Sequence, residues 1–417
     1  MRTHDQNPAQ TPPAQQAPGH PNSGHPAPGH PVVRHVRHDL NDRPFLLVWE
    51  VTRACQLACR HCRADTFTRP DPRQLTTDEG KALLDDIADS GTPRPMVVLS
   101  GGDAFERGDL EELIAHGTAR GLAMSLSPSV TPLLTDERLA SVRAAGTKSF
   151  SLSLDGATAE THDSFRGFSG VFDDTLAAAE LVVKHGFRFQ VNTTMTRNNI
   201  REMPALLKRT IEMGAHMWYL LFLVPMGRGS VLEPLTAEEQ EDVLHWLHDV
   251  SDRIAVKVTE APNYRRVALQ RQACREAGEP YPARGELHAW LSNETARLLG
   301  EPAHRRPPRP PLGVNSGRGF AFIDHTGNVT PSGFLPLVCG NVREQPFSEI
   351  YRTSPIMRAL RDTDQYTGKC GICQFNDVCG GSRARAYWMT GDELGTDPTC
   401  VHVPEGWDAA ANALIGV

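Results

Sequence analysis

The sequence predicts an α/β fold built on parallel strands, followed by a small cysteine-rich domain. From about residue 45, short apolar runs alternate with amphipathic stretches, a pattern typical of βαβ units. The apolar runs are nearly continuous, which indicates a sheet covered by helices. After the run "EPAHRRPPRPPLG" at 301–313, glycine and cysteine become frequent. The core predicted there is too thin to fold without a metal group.

Six runs are predicted to be strands: residues 45–51, 96–100, 122–127, 148–154, 187–194 and 217–224. Two capping boxes, Thr76 with Glu79 and Thr236 with Glu239, mark the starts of helices between and after them. Both a barrel-like (β/α) array and an open doubly wound sheet fit this alternation. In either arrangement the chemistry is expected at the carboxyl ends of the strands.

Composition and charge exclude several classes of partner. With 43 basic and 50 acidic residues the net charge is -7, so no basic field favours nucleic acid. The longest apolar run, residues 217–226, is too short to cross a bilayer, and the start of the chain lacks the apolar segment of a secretory signal. We therefore expect a cytoplasmic protein with no membrane partner. In that reducing compartment its nine cysteines are expected to be ligands or redox groups rather than disulfides.

Three of the cysteines lie close together, directly after the first predicted strand. Cys55, Cys59 and Cys62 have the spacing C-x3-C-x2-C in "VTRACQLACRHCRAD". Three thiolates on one loop can hold three corners of a cubane [4Fe-4S] cluster and leave the fourth iron open to an outside ligand. The alternative is a zinc knuckle that uses His61 as a further ligand.

A glycine turn follows the second predicted strand in "LSGGDAF". Gly101 and Gly102 allow close approach of backbone to a ligand, and the carboxylate of Asp103 can accept from an ammonium group. Together the two motifs resemble the radical S-adenosylmethionine (radical SAM) superfamily, which has C-x3-C-x2-C after the first strand and a "GGE"-like turn after the second. The resemblance implies a partial (β/α)6 barrel of the TIM type. It also implies that Cys55, Cys59 and Cys62 bind the cluster, whose open iron takes the amino and carboxylate groups of SAM.

Further contacts to SAM are implied by the same resemblance. Gly101, Gly102 and Asp103 would contact its methionine amine, Ser153 and Asn192 its ribose or carboxylate, and the backbone of Phe222 and Leu223 its adenine. For the positions after Asp103, ordinary filling of the strands is the alternative. The segment "HDSFRG", with His162, Asp163 and Arg166, fits the family either as salt-bridge support or as a substrate contact.

A second cysteine set lies near the end of the chain. Cys370, Cys373, Cys379 and Cys400 supply four thiolates, enough to close a cluster or to form a zinc ribbon. The surrounding sequence resembles the SPASM or twitch extension of radical SAM enzymes, especially those of haem d1 and alternative haem biosynthesis and of mycofactocin maturation. Where a full SPASM domain has further cysteines, this chain has Ser332 and Arg383. We therefore expect one auxiliary [4Fe-4S] cluster, with Cys274 structural and Cys339 left over as a ligand, a substrate contact or a small buried side chain.

Four regions are predicted along the chain. Residues 1–40 carry "GHP" three times in a Pro- and His-rich background and are expected to be a disordered tail, with weak divalent-metal binding as the alternative. Residues 41–235 form the radical SAM core, 236–311 a helical and irregular linker region, and 312–417 the SPASM- or twitch-like domain.

The resemblance implies an enzyme that reductively cleaves SAM to a 5'-deoxyadenosyl radical, which abstracts hydrogen from a substrate. Peptide or cofactor maturation is the favoured role, and side-chain modification of a tetrapyrrole is the alternative. A flavodoxin- or ferredoxin-type electron donor is implied, and a separate peptide-binding partner is an option because the segment before residue 40 is too short for such a domain. A non-catalytic iron–sulfur or zinc sensor is the hypothesis of another class, and it gives no role to the Gly-Gly-Asp turn.

Overall fold

The computed structural model describes residues 32–282, 284–302, 305, 307 and 309–408. The "GHP" repeats, at Gly19, Gly24 and Gly29, lie outside the described residues. Residues 32–40, which fall within the predicted tail, pack on the rest of the chain: Val33 is buried, and the Leu40 carbonyl accepts a 2.8 Å hydrogen bond from the Tyr351 hydroxyl.

A parallel sheet forms the centre of the protein, as predicted. The six expected strands are observed as β1 (Leu46–Thr52), β2 (Met96–Gly101), β3 (Ala123–Leu126), β4 (Ser149–Ser153), β5 (Arg188–Met195) and β6 (Met217–Phe222). They lie in chain order and each pairs in parallel with the next. Their carboxyl ends therefore meet at one edge of the sheet, where chemistry was expected.

A seventh parallel strand, β7 (Ala255–Thr259), follows β6 in the sheet and was missed in the sequence. Its sequence "AVKVT" is short and carries Lys257 at its centre, so it lacks the continuous apolar run that marked the other strands. The ammonium of Lys257 lies 4.2 Å from the ring centre of Tyr219 on β6, which gives this charged side chain an aromatic neighbour within the sheet.

Helices connect and cover these strands. They are α1 (Thr77–Asp89), α2 (Leu110–Ala119), α3 (Asp136–Ala145), α4 (Ala159–Arg166), α5 (Val171–Lys184), α6 (Met203–Glu212), α7 (Ala237–Val250), α8 (Tyr264–Ala277) and α9 (Glu286–Leu299). Both predicted capping boxes are present, at the starts of α1 and α7. The buried faces of the helices join the outward side chains of the strands in one large hydrophobic core. None of the described helices is long and apolar enough to cross a membrane.

The C-terminal region continues the same sheet. Its strands are β8 (Asn315–Ser316), β9 (Gly319–Ile323), β10 (Asn328–Thr330) and β11 (Gly340–Asn341), and its helices are α10 (Phe347–Thr353), α11 (Pro355–Arg361), α12 (Gly368–Gly371) and α13 (Arg383–Thr390). Strand β9 pairs in parallel with β1, and β10 pairs antiparallel with β9. The edge of the sheet beside β1 is thus covered by the C-terminal strands.

A buried ionic contact joins the C-terminal strands to β1. His325 lies between Glu50 and Asp71, with nitrogen–oxygen distances of 3.3 and 3.1 Å, and Glu50 also pairs with Arg53 and Arg63. Burial opposes the charge on Glu50, but the neighbouring arginines and His325 outweigh it and lower the pKa of Glu50 to about 2. The carboxylate is therefore charged at neutral pH and attracts the imidazolium form of His325.

We expect His325→Gln to destabilise the protein more in mildly acidic than in alkaline solution. Burial lowers the pKa of His325, but its contacts with Glu50 and Asp71 outweigh burial and raise it above the ordinary value. The stability linked to protonation is therefore fully present below the unfolded pKa of about 6.5 and is lost as pH rises through the folded pKa. Thermal unfolding of both proteins at about pH 6 and about pH 9 should show a cost of roughly 1–3 kcal/mol that shrinks at the higher pH. An equal cost at both pH values would contradict this account.

Candidate functional site

One cavity of about 720 Å³ runs through the inside of the sheet. The alternation of a strand is clear on β5, where Arg188, Gln190, Asn192 and Thr194 line the cavity and the residues between them do not. Because strands β1 to β7 and β9 all contribute to this one lining, the sheet curves into a partial barrel. The volume lies within the range of small-molecule sites, roughly 300–1,000 Å³.

The three clustered cysteines line this cavity at the carboxyl end of β1. Cys55 and Cys59 are buried and Cys62 is half-buried. The loop that carries them is fixed by backbone hydrogen bonds, including one of 2.8 Å from the Cys55 amide to the Phe67 carbonyl. All three thiols thus face one enclosed space, as a shared ligand requires.

The glycine turn packs directly against the cysteine loop. The Gly102 amide donates to the Thr52 carbonyl at 2.9 Å, and the Asp103 amide donates to the Ala54 carbonyl at 2.7 Å. A Cβ atom at Gly102 would lie 2.4 Å from the Ala54 carbonyl oxygen and 2.8 Å from the Cys55 Cβ. Glycine is required here because the two loops touch backbone to backbone.

Gly102→Ala is therefore expected to displace the cysteine loop. The added methyl group has no space, so we expect a cost of about 1–3 kcal/mol in stability and a large loss of both iron content and SAM cleavage. Gly108→Ala is the matched control, because a Cβ there meets nothing within 4 Å. Iron analysis and anaerobic formation of 5'-deoxyadenosine would check the pair. Equal behaviour of the two variants would contradict the steric argument.

Asp103 occupies a different environment from its two glycine neighbours. Its carboxylate is fully buried and accepts from the Thr131 hydroxyl at 2.6 Å and from the amides of Phe105 and Ser129 at 3.1 and 3.3 Å. Burial raises the pKa of this carboxyl despite these bonds. Gly101 and Gly102 line the cavity, whereas Asp103 holds the loop after β3 against the turn. The Ser129 hydroxyl of that loop in turn lies 3.7 Å from the Cys55 thiol.

Buried charges support the cysteine loop from the carboxyl end of β4. Arg166 pairs with Asp155 at 2.7 Å and approaches the Cys59 thiol at 3.8 Å, and His61 lies 3.7 Å from the same Asp155 carboxylate. Burial is the main cause that lowers the pKa of His61 to about 4, so its imidazole is neutral at pH 7. Arg166 therefore acts in salt-bridge support, one of the two roles considered for "HDSFRG".

The other members of that segment serve local structure. Asp163 accepts hydrogen bonds from the backbone amides of Gly170 and Phe172, at 2.6 and 2.8 Å, and so fixes the turn into α5. His162 is buried, and its Nδ1 atom accepts from the Asp155 amide at 3.0 Å. Burial, aided by Arg166, lowers the pKa of His162 to about 4.

Sequence reasoning missed two residues that hold this loop. Asp155 follows Ser153 by two positions in "SLSLDG", and the buried charge could have been noticed there. Arg228, in "VPMGRG", donates from Nε to the Cys59 carbonyl at 3.0 Å and from its amide to the Cys62 carbonyl at 3.1 Å. No sequence pattern links Arg228 to residues so distant in the chain.

The remaining predicted contacts lie together on adjacent strands. Ser153 and Asn192 are direct partners in the register of β4 and β5, and both line the cavity. Phe222 and Leu223, at the end of β6, line it as well. The structure thus brings these residues, the glycine turn and the three cysteines to one end of one cavity.

The second cysteine set surrounds a separate, small cavity of about 20 Å³. Cys370, Cys373, Cys379 and Cys400 line it, as predicted for a shared ligand group. The guanidinium of Arg383 donates to the Cys370 thiol at 3.3 Å. A full SPASM domain has a cysteine at the position of Arg383. In this chain the arginine there makes a supporting contact to the site.

Two other cysteines lie away from both cavities. Cys339 packs against the hydrophobic core, and its thiol lies 3.5 Å from the Leu337 carbonyl. Burial raises its pKa to about 11, so it stays a neutral thiol. Cys274 lies on α8, as expected from the helical pattern there.

The chemistry of both sets fits iron–sulfur clusters. Burial raises the pKa of Cys379 to about 12 and of Cys400 to about 11, so thiolates at these sites need cationic metal to offset their burial. Four cysteines line the C-terminal cavity and three line the larger one. These numbers match a cluster with every iron held by the protein and a cluster with one iron left open.

Comparison with known proteins decides the family. Residues 49–210 match the radical SAM superfamily, and residues 315–374 match the SPASM iron–sulfur cluster-binding domain. The chain is also 41% identical over 369 residues to a protein of Oleidesulfovibrio alaskensis named AdoMet-dependent heme synthase, covering 88% of this chain and 89% of the relative. The protein belongs to the radical SAM superfamily. It is an enzyme that uses SAM and a [4Fe-4S] cluster, with auxiliary iron–sulfur binding in its SPASM domain.

Other radical SAM relatives carry two kinds of name. A Methanosarcina barkeri protein, also named AdoMet-dependent heme synthase, is 39% identical over 367 residues, which are 88% of this chain and 98% of the relative. Mycofactocin maturase MftC of Mycolicibacterium smegmatis is 30% identical over 382 residues, which are 89% of this chain and 85% of the relative.

Solved structures share the fold of this radical SAM enzyme. Streptococcus suis SuiB, bound to the precursor peptide SuiA, matches with a TM-score of 0.62 at 14% identity and covers 87% of this chain and 76% of its own. The enzyme anSMEcpe with bound AdoMet matches with a TM-score of 0.59 at 16% identity, over 86% and 91% of the two chains. These matches confirm the predicted α/β fold with a SPASM-type C-terminal domain.

Proposed function

We propose that this radical SAM enzyme modifies the side chains of a tetrapyrrole in haem formation. The observation that carries the proposal is the 41% identity, over 88% of the chain, to a relative named AdoMet-dependent heme synthase. Relatives named Fe-coproporphyrin III synthase and pre-heme d1 synthase, each 30% identical, act in the same chemical class by their names. This makes the tetrapyrrole alternative of the sequence analysis the leading candidate.

Peptide maturation is the second candidate, and it rests on the 30% identity to mycofactocin maturase. It was the favoured role in the sequence analysis. The higher identity and the repeated tetrapyrrole names among the relatives are our reasons for preferring haem formation.

The site residues support the proposal as follows. Cys55, Cys59 and Cys62 would hold the reactive cluster, and Cys370, Cys373, Cys379 and Cys400 one auxiliary cluster. Gly101, Gly102, Ser153, Asn192 and Leu223 would contact SAM along the cavity wall, while the carboxylate of Asp103 would position the glycine turn from behind. When bound, the cluster and SAM together supply a 5'-deoxyadenosyl radical that abstracts hydrogen.

The reaction balances on the side chain of the substrate. Fe-coproporphyrin III and haem differ where two propionate groups of the former are vinyl groups in the latter. Each propionate that becomes vinyl gives up one hydrogen atom, carbon dioxide and one electron, so a one-electron acceptor is needed beside the radical. The protein contributes orientation and exclusion of water from the enclosed cavity.

Delivery of electrons completes the proposal. Reductive cleavage of SAM needs an external donor, for which a flavodoxin or ferredoxin is the chemically suited class. The free thiols required for cluster assembly favour the cytoplasm as the compartment.

The test is conversion of Fe-coproporphyrin III by anaerobically reconstituted enzyme with SAM and a strong reductant. Haem and 5'-deoxyadenosine, followed by chromatography and mass spectrometry, are the expected products. A tetrapyrrole with additional acetate side chains should be assayed as a second substrate. If 5'-deoxyadenosine forms while neither tetrapyrrole changes, the proposal is overturned and a peptide substrate is favoured.

A further inference from the structure

Six basic side chains line the part of the cavity away from the cysteines. They are Arg34, Lys148, Arg188, His216, Lys257 and Arg309, and we call them the basic end. Lys148 directly precedes β4, Arg188 is the first residue of β5 and His216 directly precedes β6, so these three lie at the amino ends of strands. Lys257 is opposite Tyr219 in the register of β6 and β7 and lies further along the cavity. The cysteine loop follows the last residue of β1, which in a parallel sheet is the far end of the same cavity.

The basic end has no internal counter-charge. In the described part of the chain none of its six members forms an ion pair with a carboxylate, and the Nε atom of Arg34 is buried without a hydrogen-bond partner. Burial, together with Arg309 and Arg34, lowers the pKa of Lys257 to about 8. Burial and the charges of Arg34 and Arg188 likewise lower the pKa of Arg309. The members therefore lie close enough to repel one another.

Several buried arginines elsewhere in the protein pair with carboxylates. Arg166 contacts Asp155 at 2.7 Å and Arg266 contacts Glu241 at 2.9 Å. Mutual repulsion of unpaired cations costs stability and persists where an anionic ligand supplies the missing charge. The basic end therefore has the character of a binding site for a molecule with several anionic groups.

We propose that the basic end binds the carboxylate side chains of the tetrapyrrole substrate that the reaction leaves in place. This inference rests on the proposed function. It adds a reason why one side chain of the substrate reacts and another does not. A carboxylate held at this end turns the opposite side of the macrocycle toward the cysteine loop. The substrate is thus oriented by the groups that do not react.

The dimensions and the wall between the two ends fit such a ligand. Arg188 and Asn192 are four residues apart on β5, roughly 13 Å at the rise of a strand. Leu46, Val48 and Val98 of β1 and β2 line the same cavity and supply an apolar surface for a flat macrocycle. Arg188 and Arg309 are exposed and Lys257 is half-buried, so positive charge extends from the opening inward and favours entry of an anion.

The test measures binding of Fe-coproporphyrin III to the cluster-loaded enzyme by its visible absorption. We expect Arg188→Gln and Lys257→Met each to weaken binding about 10-fold or more, the effect of losing one charge-assisted hydrogen bond. Arg188→Lys should retain more affinity because it keeps the charge. Lys208→Gln is the matched control, since it removes one positive charge from an exposed pair with Glu212 on α6, and it should bind as the wild type does.

A second measurement needs no variant. The tetramethyl ester of Fe-coproporphyrin III has the same macrocycle without charge, and we expect it to bind at least about 10-fold more weakly than the acid. Equal binding of acid and ester, or wild-type affinity in both cavity variants, would overturn the inference. If the wild type still converted Fe-coproporphyrin III, the proposed function would stand. Absence of both binding and conversion of any tetrapyrrole by the wild type would overturn the two together.

Discussion

The triple variant Cys55→Ala/Cys59→Ala/Cys62→Ala is expected to lose SAM cleavage completely. These thiols line the cavity beside the glycine turn and are the only cysteines on its described wall. Removing them removes every thiolate that could hold an iron cluster there. Anaerobic reconstitution followed by measurement of 5'-deoxyadenosine would check this, with iron and sulfide falling to the content of the C-terminal site alone.

Cys274→Ala is the matched control for the triple variant. It makes the same chemical change on α8, away from both cavities, and should leave iron content and cleavage at wild-type values. Cleavage that survived in the triple variant would remove these cysteines from the reactive site. It would also revive the sensor hypothesis for the cysteine loop.

The sequence allowed the local parts of this site to be predicted because they are encoded locally. Strands β1 to β6 were visible as apolar runs, and the two cysteine sets as short spacings. Ser153 lies beside Asn192 because β4 and β5 are parallel neighbours in the sheet. What could not be predicted depends on contacts between distant segments, such as β9 pairing with β1 or Arg228 reaching the Cys59 carbonyl.

The basic end also could not be predicted from the sequence, because it depends on contacts between distant segments. Arg34, Arg188 and Arg309 come from three distant segments, and the curved sheet brings them into one cavity. Lys257 concealed β7 in the sequence because it interrupts an apolar run, and this same feature places a charge inside the barrel. Lys257 therefore hid a strand in the sequence, and in the structure it is one of the residues that indicate an anionic ligand.

Replacing the C-terminal cysteines should separate cleavage of SAM from product formation. In Cys370→Ser/Cys379→Ser the C-terminal cluster loses two ligands, one of which, Cys379, is buried. Loss of outer-shell partners alone costs roughly 10–100-fold in metal affinity, so loss of two direct ligands should empty this site. The guanidinium of Arg383 then loses the thiolate that it contacts at 3.3 Å, and we expect a lower melting temperature as well.

The reactive site lies in a different cavity, so this double variant should still form 5'-deoxyadenosine. Haem formation from Fe-coproporphyrin III should fall below detection if the C-terminal cluster accepts the electron that each propionate releases. Cys339→Ala is the matched control, because its thiol lies 3.5 Å from the Leu337 carbonyl and lines neither described cavity. Iron analysis should first show that the C-terminal site of the double variant is empty. If that variant still forms haem at the wild-type rate, another group accepts the electron and the C-terminal cluster has a structural role.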